Sequence, residues 1–181
     1  EAAGAELVPF DPLTDSSLPD RIDGLVAGGG FPEVFAEELS ANTPLLADVR
    51  RRVDDGLVTW AECGGLLWLC AHLDGHAMAG VIPASATMSD RLTLGYRTAT
   101  STVDTPLGPA GTVLRGHEFH YSMTDPAGEL FDLVGRHGTG TGGFGGRHLV
   151  ASYLHLHLGA RWDVAQEFVR ACCALRLPYT G

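Results

Sequence analysis

The spacing of apolar positions changes twice along the chain, and the order of those changes predicts an architecture. Residues 22–27 (Ile-Asp-Gly-Leu-Val-Ala) and 58–62 (Val-Thr-Trp-Ala-Glu) are short apolar runs bounded by turn residues and read as buried strands. Residues 5–10 read as a brief opening strand, followed by a polar loop through Asp20. Between these runs the period becomes helical. Residues 32–40 predict a helix with Val34, Phe35 and Leu39 on one face and Glu33, Glu37 and Glu38 largely on the other. A second helix is predicted over 44–55, where Leu45, Leu46, Val49 and Val53 recur at helical spacing and Gly56 follows the end. A third runs from just after Cys63 to about residue 73. Strands alternating with helices imply a parallel sheet with helices on its faces.

After Met78 the helical period disappears. Residues 81–84, 93–100 and 111–115 carry β-branched residues with Gly and Pro punctuation, and 116–122 continue the last of them. These read as antiparallel strands added to the far side of the sheet. Residues 138–146, rich in glycine but without lysine, predict a mobile loop. Residues 149–158 read as one strand, with Ser152, Leu154, Leu156 and Leu158 on one face and Tyr153, His155 and His157 on the other. A final helix from Trp162 to about residue 175 would pack through Val164, Phe168, Ala171, Cys172 and Leu175. No internal repeat or long linker interrupts the pattern, so a single α/β domain is expected.

Composition narrows the class of function. With 181 residues, 45% of them hydrophobic, the chain can build one substantial core. A net charge of −10, a pI near 5.1 and only 12 scattered Lys and Arg argue against nucleic-acid binding or an anionic membrane surface. No run of about 18 apolar residues suggests a membrane span, and no basic region precedes an apolar stretch at the start as a signal peptide would require. Cys63, Cys70, Cys172 and Cys173 show neither a zinc-ribbon nor a disulfide-scaffold spacing. A reducing, cytoplasmic setting fits that usage best.

The chemistry centres on Ala61-Glu62-Cys63-Gly64-Gly65, where a strand turns sharply into a helix. Such a bend lifts a nucleophile above the sheet edge, and small neighbours keep the turn free of clashes. Most free cysteines are inert core residues, yet this context makes Cys63 the candidate nucleophile. The amides of the following helix are expected to favour its thiolate. Gly28-Gly29-Gly30 at the end of the preceding strand offers the second half of an oxyanion hole, with Gly64 supplying the first. Neither a dinucleotide fingerprint nor a phosphate P-loop is present. Of eight histidines, His72, His76, His137 and His148 read as surface residues, leaving His117, His120, His155 and His157 as candidate bases. A metal site is the rival use of these imidazoles, but His117 and His120, three apart on a strand, face opposite ways. No metal is expected.

These motifs together carry a resemblance. Gly28-Gly29-Gly30-Phe31-Pro32-Glu33, the Cys63 elbow, Arg115-Gly116-His117-Glu118-Phe119-His120-Tyr121-Ser122 and Ala151-Ser152-Tyr153-Leu154-His155-Leu156-His157 resemble, in order and spacing, the glutaminase domain of the cobyrinic and hydrogenobyrinic acid a,c-diamide synthases. The resemblance covers nearly the whole chain. It implies a flavodoxin-like, class I glutamine amidotransferase fold of the cobyric-acid-synthase type, mostly parallel, with helices on both faces and added antiparallel strands.

On that resemblance Cys63 would attack the side-chain amide of L-glutamine. His155 would be the general base and acid, and the amides of Gly64 and of Gly29 or Gly30 would hold the oxyanion. Many class I amidotransferases carry Glu two residues after this histidine. Here the position is His157, which implies a Cys63–His155 dyad unless Glu62, Glu118 or His157 orients the ring. The resemblance also implies an N-terminal ATP- and Mg²⁺-dependent synthetase domain that amidates a cobyrinic or hydrogenobyrinic acid. No P-loop occurs in this sequence, so the chain is expected to be a fragment lacking that domain and part of its own first strand, with no cofactor of its own. The remaining partners would be glutamine and the synthetase domain; a homodimer is left open. Another acceptor, such as cobyric acid or a cell-wall lipid, and a non-catalytic domain of the same fold are the alternatives.

Overall fold

A computed structural model describes residues 1–136 and 138–174. The expected surface position of His137 and the packing of Leu175 lie outside the described residues. In chain order the elements are β1 (Gly24–Ala27), α1 (Ala36–Ala41), α2 (Thr43–Asp54), β2 (Val58–Glu62), α3 (Gly64–Leu69), β3 (Cys70–Leu73), β4 (His76–Ala77) and β5 (Ile82–Ser101). They continue with β6 (Val113–Asp125), β7 (Phe131–Gly135), β8 (Gly138–Gly142), β9 (Phe144–Gly146), β10 (Leu149–Ser152), β11 (His155–Leu156) and α4 (Trp162–Ala174).

Two sheets divide the work. The first has strand order β1-β2-β10-β9, with β1, β2 and β10 parallel and β9 antiparallel. β2 is central, and its residues Val58 to Ala61 are all buried. On one face Leu25, Ala61 and Ala151 pack with α1, α2 and α3; on the other Val58, Trp60 and Val150 meet Val164, Phe168 and Cys172 of α4. Helices therefore cover both faces, as expected. The second sheet is largely antiparallel, in the order β11-β6-β5-β3-β4, with β7 paired to β5 and β8 to β7. The antiparallel share exceeds the expected "added strands", because β5 and β6 form one long ribbon where the sequence shows several short segments.

Several local expectations are corrected. Residues 5–10 form no strand. The segment after them is instead tied to the helical layer: Asn42 Nδ2 donates to the Pro12 and Asp15 carbonyls, and Phe10 lies against Trp68. The 32–40 helix begins as a 3-10 turn over Pro32–Phe35. Its tighter winding of about three residues per turn shifts the phase, so Pro32, Ala36 and Leu39 are buried while Val34 and Phe35 are exposed. The helix after Cys63 stops at Leu69, where β3 begins and pairs in parallel with β5.

The glycine-rich 138–146 stretch is ordered as β8 and β9 rather than a loop. Glycine is required where the backbones meet: a methyl group at Gly145, whose φ is +147°, would lie 2.0 Å from the Leu149 carbonyl oxygen. Nothing in the apolar pattern marks β7 in advance. The predicted strand over 149–158 breaks at Tyr153 and Leu154, where the Ser152 hydroxyl accepts from the Leu154 amide. β11 then leaves the parallel sheet and pairs with β6.

Asp48 of α2 clamps the N-terminal segment. Its carboxylate accepts from the Leu18 amide at 3.0 Å, Arg51 at 2.6 Å and Arg52 at 3.0 Å, while Arg52 also donates to the Pro19 and Leu18 carbonyls. Burial alone would raise the Asp48 pKa, but these donors and the Arg52 charge hold it below the usual carboxylate range. A depressed folded pKa contributes stability that is present above the unfolded value and lost as pH falls through the folded one. Asp48→Asn should therefore cost about 1–2 kcal/mol at neutral pH in denaturant melts. The difference from wild type should shrink progressively on the acid side.

Candidate active site

β2 delivers Cys63 because it is a buried parallel strand that ends at a bend only small residues allow. Cys63 has φ +47° and ψ −101°, a left-handed conformation that costs energy for a residue with a side chain. Three backbone bonds hold it there. The Cys63 amide donates to the Ser152 carbonyl at 2.8 Å, the Leu67 amide donates to the Cys63 carbonyl at 3.1 Å, and the Gly65 amide donates to the Gly28 carbonyl at 3.0 Å. The glycines are a packing requirement. A methyl group at Gly65 would sit 2.1 Å from the Ala27 carbonyl oxygen, and one at Gly64 would sit 2.8 Å from the Gly30 nitrogen. The Gly30 and Gly64 backbones thus face each other beside the thiol, and the Gly64 amide is directed at it.

His155 arrives from the other sheet. Its pairing with His117 fixes the height of β11, and its Nδ1 lies 3.3 Å from the His117 carbonyl oxygen. A backbone carbonyl can only accept, so this contact requires the proton on Nδ1 and leaves the Nε2 lone pair free. Nε2 points at the glycine loop: a methyl group at Gly29 would lie 3.3 Å from it. The His117 ring stacks on His155 with centroids 4.9 Å apart and on His157 at 5.2 Å. Desolvation, followed by its two histidine neighbours, lowers the His117 pKa. The sequence leaves His117 among the candidates without a role, because its role depends on cross-strand register, which has no local signal.

The three candidate orienting residues take different places. Glu62 accepts from the Leu156 amide at 3.2 Å and lies near His155 and His157, so it fixes β11 through the backbone. Burial raises its pKa against these favourable contacts. Glu118 is buried in an ion pair with Arg97 at 2.7 Å, and the charge it influences is on His120. His157 meets His117 by stacking. His120 lies on the opposite face of β6 from His117, stacked on Tyr153 at 3.7 Å with Nδ1 2.7 Å from the Ser122 carbonyl oxygen. His72 and His76 are exposed and His148 is half-buried. No group of three or more metal-ligating side chains occurs among the described residues.

The thiol's electrostatics correct one expectation. Burial pushes the Cys63 pKa up, the Gly64 amide lowers it, and the charges of Glu33 and Glu62 raise it further. The net shift is upward, so the amides following Cys63 do not make a resting thiolate. α3 has only six residues and little dipole to set against a desolvated charge. The arrangement instead calls for a base that removes the proton as the thiol attacks, and His155 is the imidazole aimed that way.

A strand-elbow cysteine, a histidine at the end of a neighbouring strand and apposed glycine amides define the class I glutamine amidotransferase architecture. A solved structure of a GMP synthase protein from Thermoplasma acidophilum shares the fold, with a TM-score of 0.56 over 91% of this chain and 80% of that one at 16% identity. The family model for the CobB/CobQ-like glutamine amidotransferase domain matches residues 1–162, and the chain belongs to that family. It is 50% identical over 173 residues to the hydrogenobyrinate a,c-diamide synthase of Streptomyces coelicolor, covering 94% of this chain and 36% of that protein. It is 45% identical over 181 residues to the cobyrinate a,c-diamide synthase of Synechococcus, covering 94% of this chain and 40% of that protein. The chain thus spans well under half the length of these relatives.

Because the Cys63 pKa is raised, iodoacetamide should alkylate it more slowly at neutral pH than exposed Cys173, with the rate climbing further into the alkaline range. Glu62→Gln removes a nearby negative charge while keeping an acceptor for the Leu156 amide. It should shift the Cys63 alkylation profile to lower pH, as read by peptide mass spectrometry across a pH series.

Proposed function

We propose that this domain hydrolyses L-glutamine to glutamate and ammonia, and that the ammonia amidates the a and c carboxylates of a cobyrinic or hydrogenobyrinic acid. One observation carries the reading: His155 Nε2, the Cys63 elbow and the Gly29–Gly30 and Gly64 backbones lie against one another at the ends of three strands. Membership of the glutamine amidotransferase family supplies the substrate class, and the printed activities of the relatives supply the acceptor.

In the first half-reaction His155 Nε2 takes the thiol proton as Cys63 Sγ bonds to the carboxamide carbon. The resulting oxyanion is held by the amides of Gly64 and of Gly29 or Gly30, each donor worth about 3–4 kcal/mol of barrier in comparable acyl transfers. Collapse breaks the carbon–nitrogen bond, and the proton on His155 goes to the leaving nitrogen, giving ammonia and a thioester. In the second half-reaction water gives a proton to His155, attacks the thioester carbon, and releases glutamate and the Cys63 thiol. The Nδ1 contact to His117 keeps the ring in the required tautomer throughout, and Glu62 holds β11 through the Leu156 amide.

The acceptor carboxylates would be activated as acyl phosphates by ATP with Mg²⁺. The sequence has no P-loop to hold ATP, so that chemistry belongs to a synthetase domain in the remaining length of the relatives. A cytoplasmic setting follows from the reduced cysteines the mechanism needs; no helix among the described residues is long and apolar enough to cross a membrane.

In the full-length protein, Cys63→Ala should lower glutamine-dependent glutamate release by about 10⁴-fold or more while leaving amidation from added ammonium chloride intact. His155→Ala should lower the same rate severely. Wild-type glutamate release from Cys63→Ala would overturn the assignment.

A further inference from the structure

The β5–β6 ribbon has its polarity reversed. Residues alternate across a strand, and a ribbon with one face packed on a core normally turns its apolar side chains inward. Here the inward face carries Glu118, His120 and Ser122, which line a cavity of about 270 Å³ together with Thr93. The outward face carries Leu94, Tyr96, Phe119 and Tyr121, which are 60%, 80%, 51% and 44% exposed. Register makes these one strip, because Leu94 lies directly across from Phe119 and Tyr96 across from His117. The strip runs into the active site. The Tyr96 ring meets the His117 ring edge-on at 6.5 Å, and His117 stacks on His155. None of the four outward side chains is charged.

We infer that this strip is the docking surface for the acceptor-amidating domain of the full-length synthase, and that the docked domain also closes the ammonia exit beside His155. The inference rests on the proposed glutaminase activity. Three observations choose this occupant. Relatives carry roughly 60% of their length outside the region matched here, so a large body is available within the same protein. The strip is continuous with the residue that orients the catalytic histidine, so whatever covers it also covers the site. Ammonia released into water near neutral pH is protonated to ammonium, which has no lone pair with which to attack an acyl phosphate. A covering apolar surface removes that loss, and an exposed aromatic strip of this kind marks an interface.

The test uses the full-length protein. Hydroxyl-radical footprinting should find Tyr96, Phe119 and Tyr121 protected. In Leu94→Ser/Phe119→Ser, both exposed positions away from Cys63, that protection should fall. The ratio of amide formed to glutamate released should drop on the order of tenfold, as expected for loss of interface anchors. Amidation from added ammonium chloride should be unchanged, which shows that the synthetase half is still folded. Two footprinting results would overturn the inference: oxidation of these rings at the rate of solvent-exposed residues, or protection lost on dilution to monomer, which would assign the strip to a second copy. An unchanged coupling ratio in the double variant would also overturn it. Failure of the glutaminase reading is seen separately, in the glutamate release of Cys63→Ala.

Discussion

Parallel pairing at the carboxyl ends of three strands is the constraint on which the rest depends. β1, β2 and β10 end in step, with Ala27 beside Ala61 and Glu62 beside Ser152. Each strand therefore releases its next residues at the same height: the Gly28–Gly30 loop, Cys63, and the short link to His155. The Cys63 amide bonded to the Ser152 carbonyl, and the Gly65 amide bonded to the Gly28 carbonyl, tie the three exits together. With those bonds in place the strained Cys63 backbone is over-determined by its surroundings, which is how a left-handed residue persists at a turn.

The nucleophile and its base come from sheets built differently. The parallel sheet is rigid around Cys63 because β2 is buried on both faces. The antiparallel ribbon reaches across and captures β11, so the base is positioned by pairing with His117 and not by its own strand continuing. This explains how His155 can be oriented without a carboxylate two residues later. A backbone carbonyl does the orienting, and Glu62 acts on the peptide that follows the histidine. The thiol is correspondingly kept protonated at rest. Helix-end dipoles are worth about 0.3–1 kcal/mol at best in a first turn, less than the cost of desolvating a thiolate beside two carboxylates.

The two halves also differ in what they do with their surfaces. The parallel half covers both faces of its sheet with its own helices. The antiparallel half leaves aromatic side chains outward next to the catalytic histidine and turns Glu118, His120 and Ser122 inward, where Arg97, Tyr153 and backbone carbonyls satisfy them. That distribution is understandable if the outward face is an inner face of a larger assembly.

Much of this was legible in residue order. The periodicity of Leu45, Leu46, Val49 and Val53 specified α2, the buried run at 58–61 specified the central strand, and small residues around Cys63 specified an elbow. These signals are local: a helix face, a strand run and a bend are each written within a dozen residues. Val34 and Phe35 misled because a 3-10 turn changes the phase of a helix without changing its composition. The 138–146 stretch misled because glycine carries no side-chain pattern, and only β7 and β10 across from it supply the ladder. The sequence by itself determined which residues could react. Only the tertiary structure decided how His155 is oriented and which way the Cys63 proton equilibrium leans, because both follow from cross-strand register and burial among residues far apart in the chain.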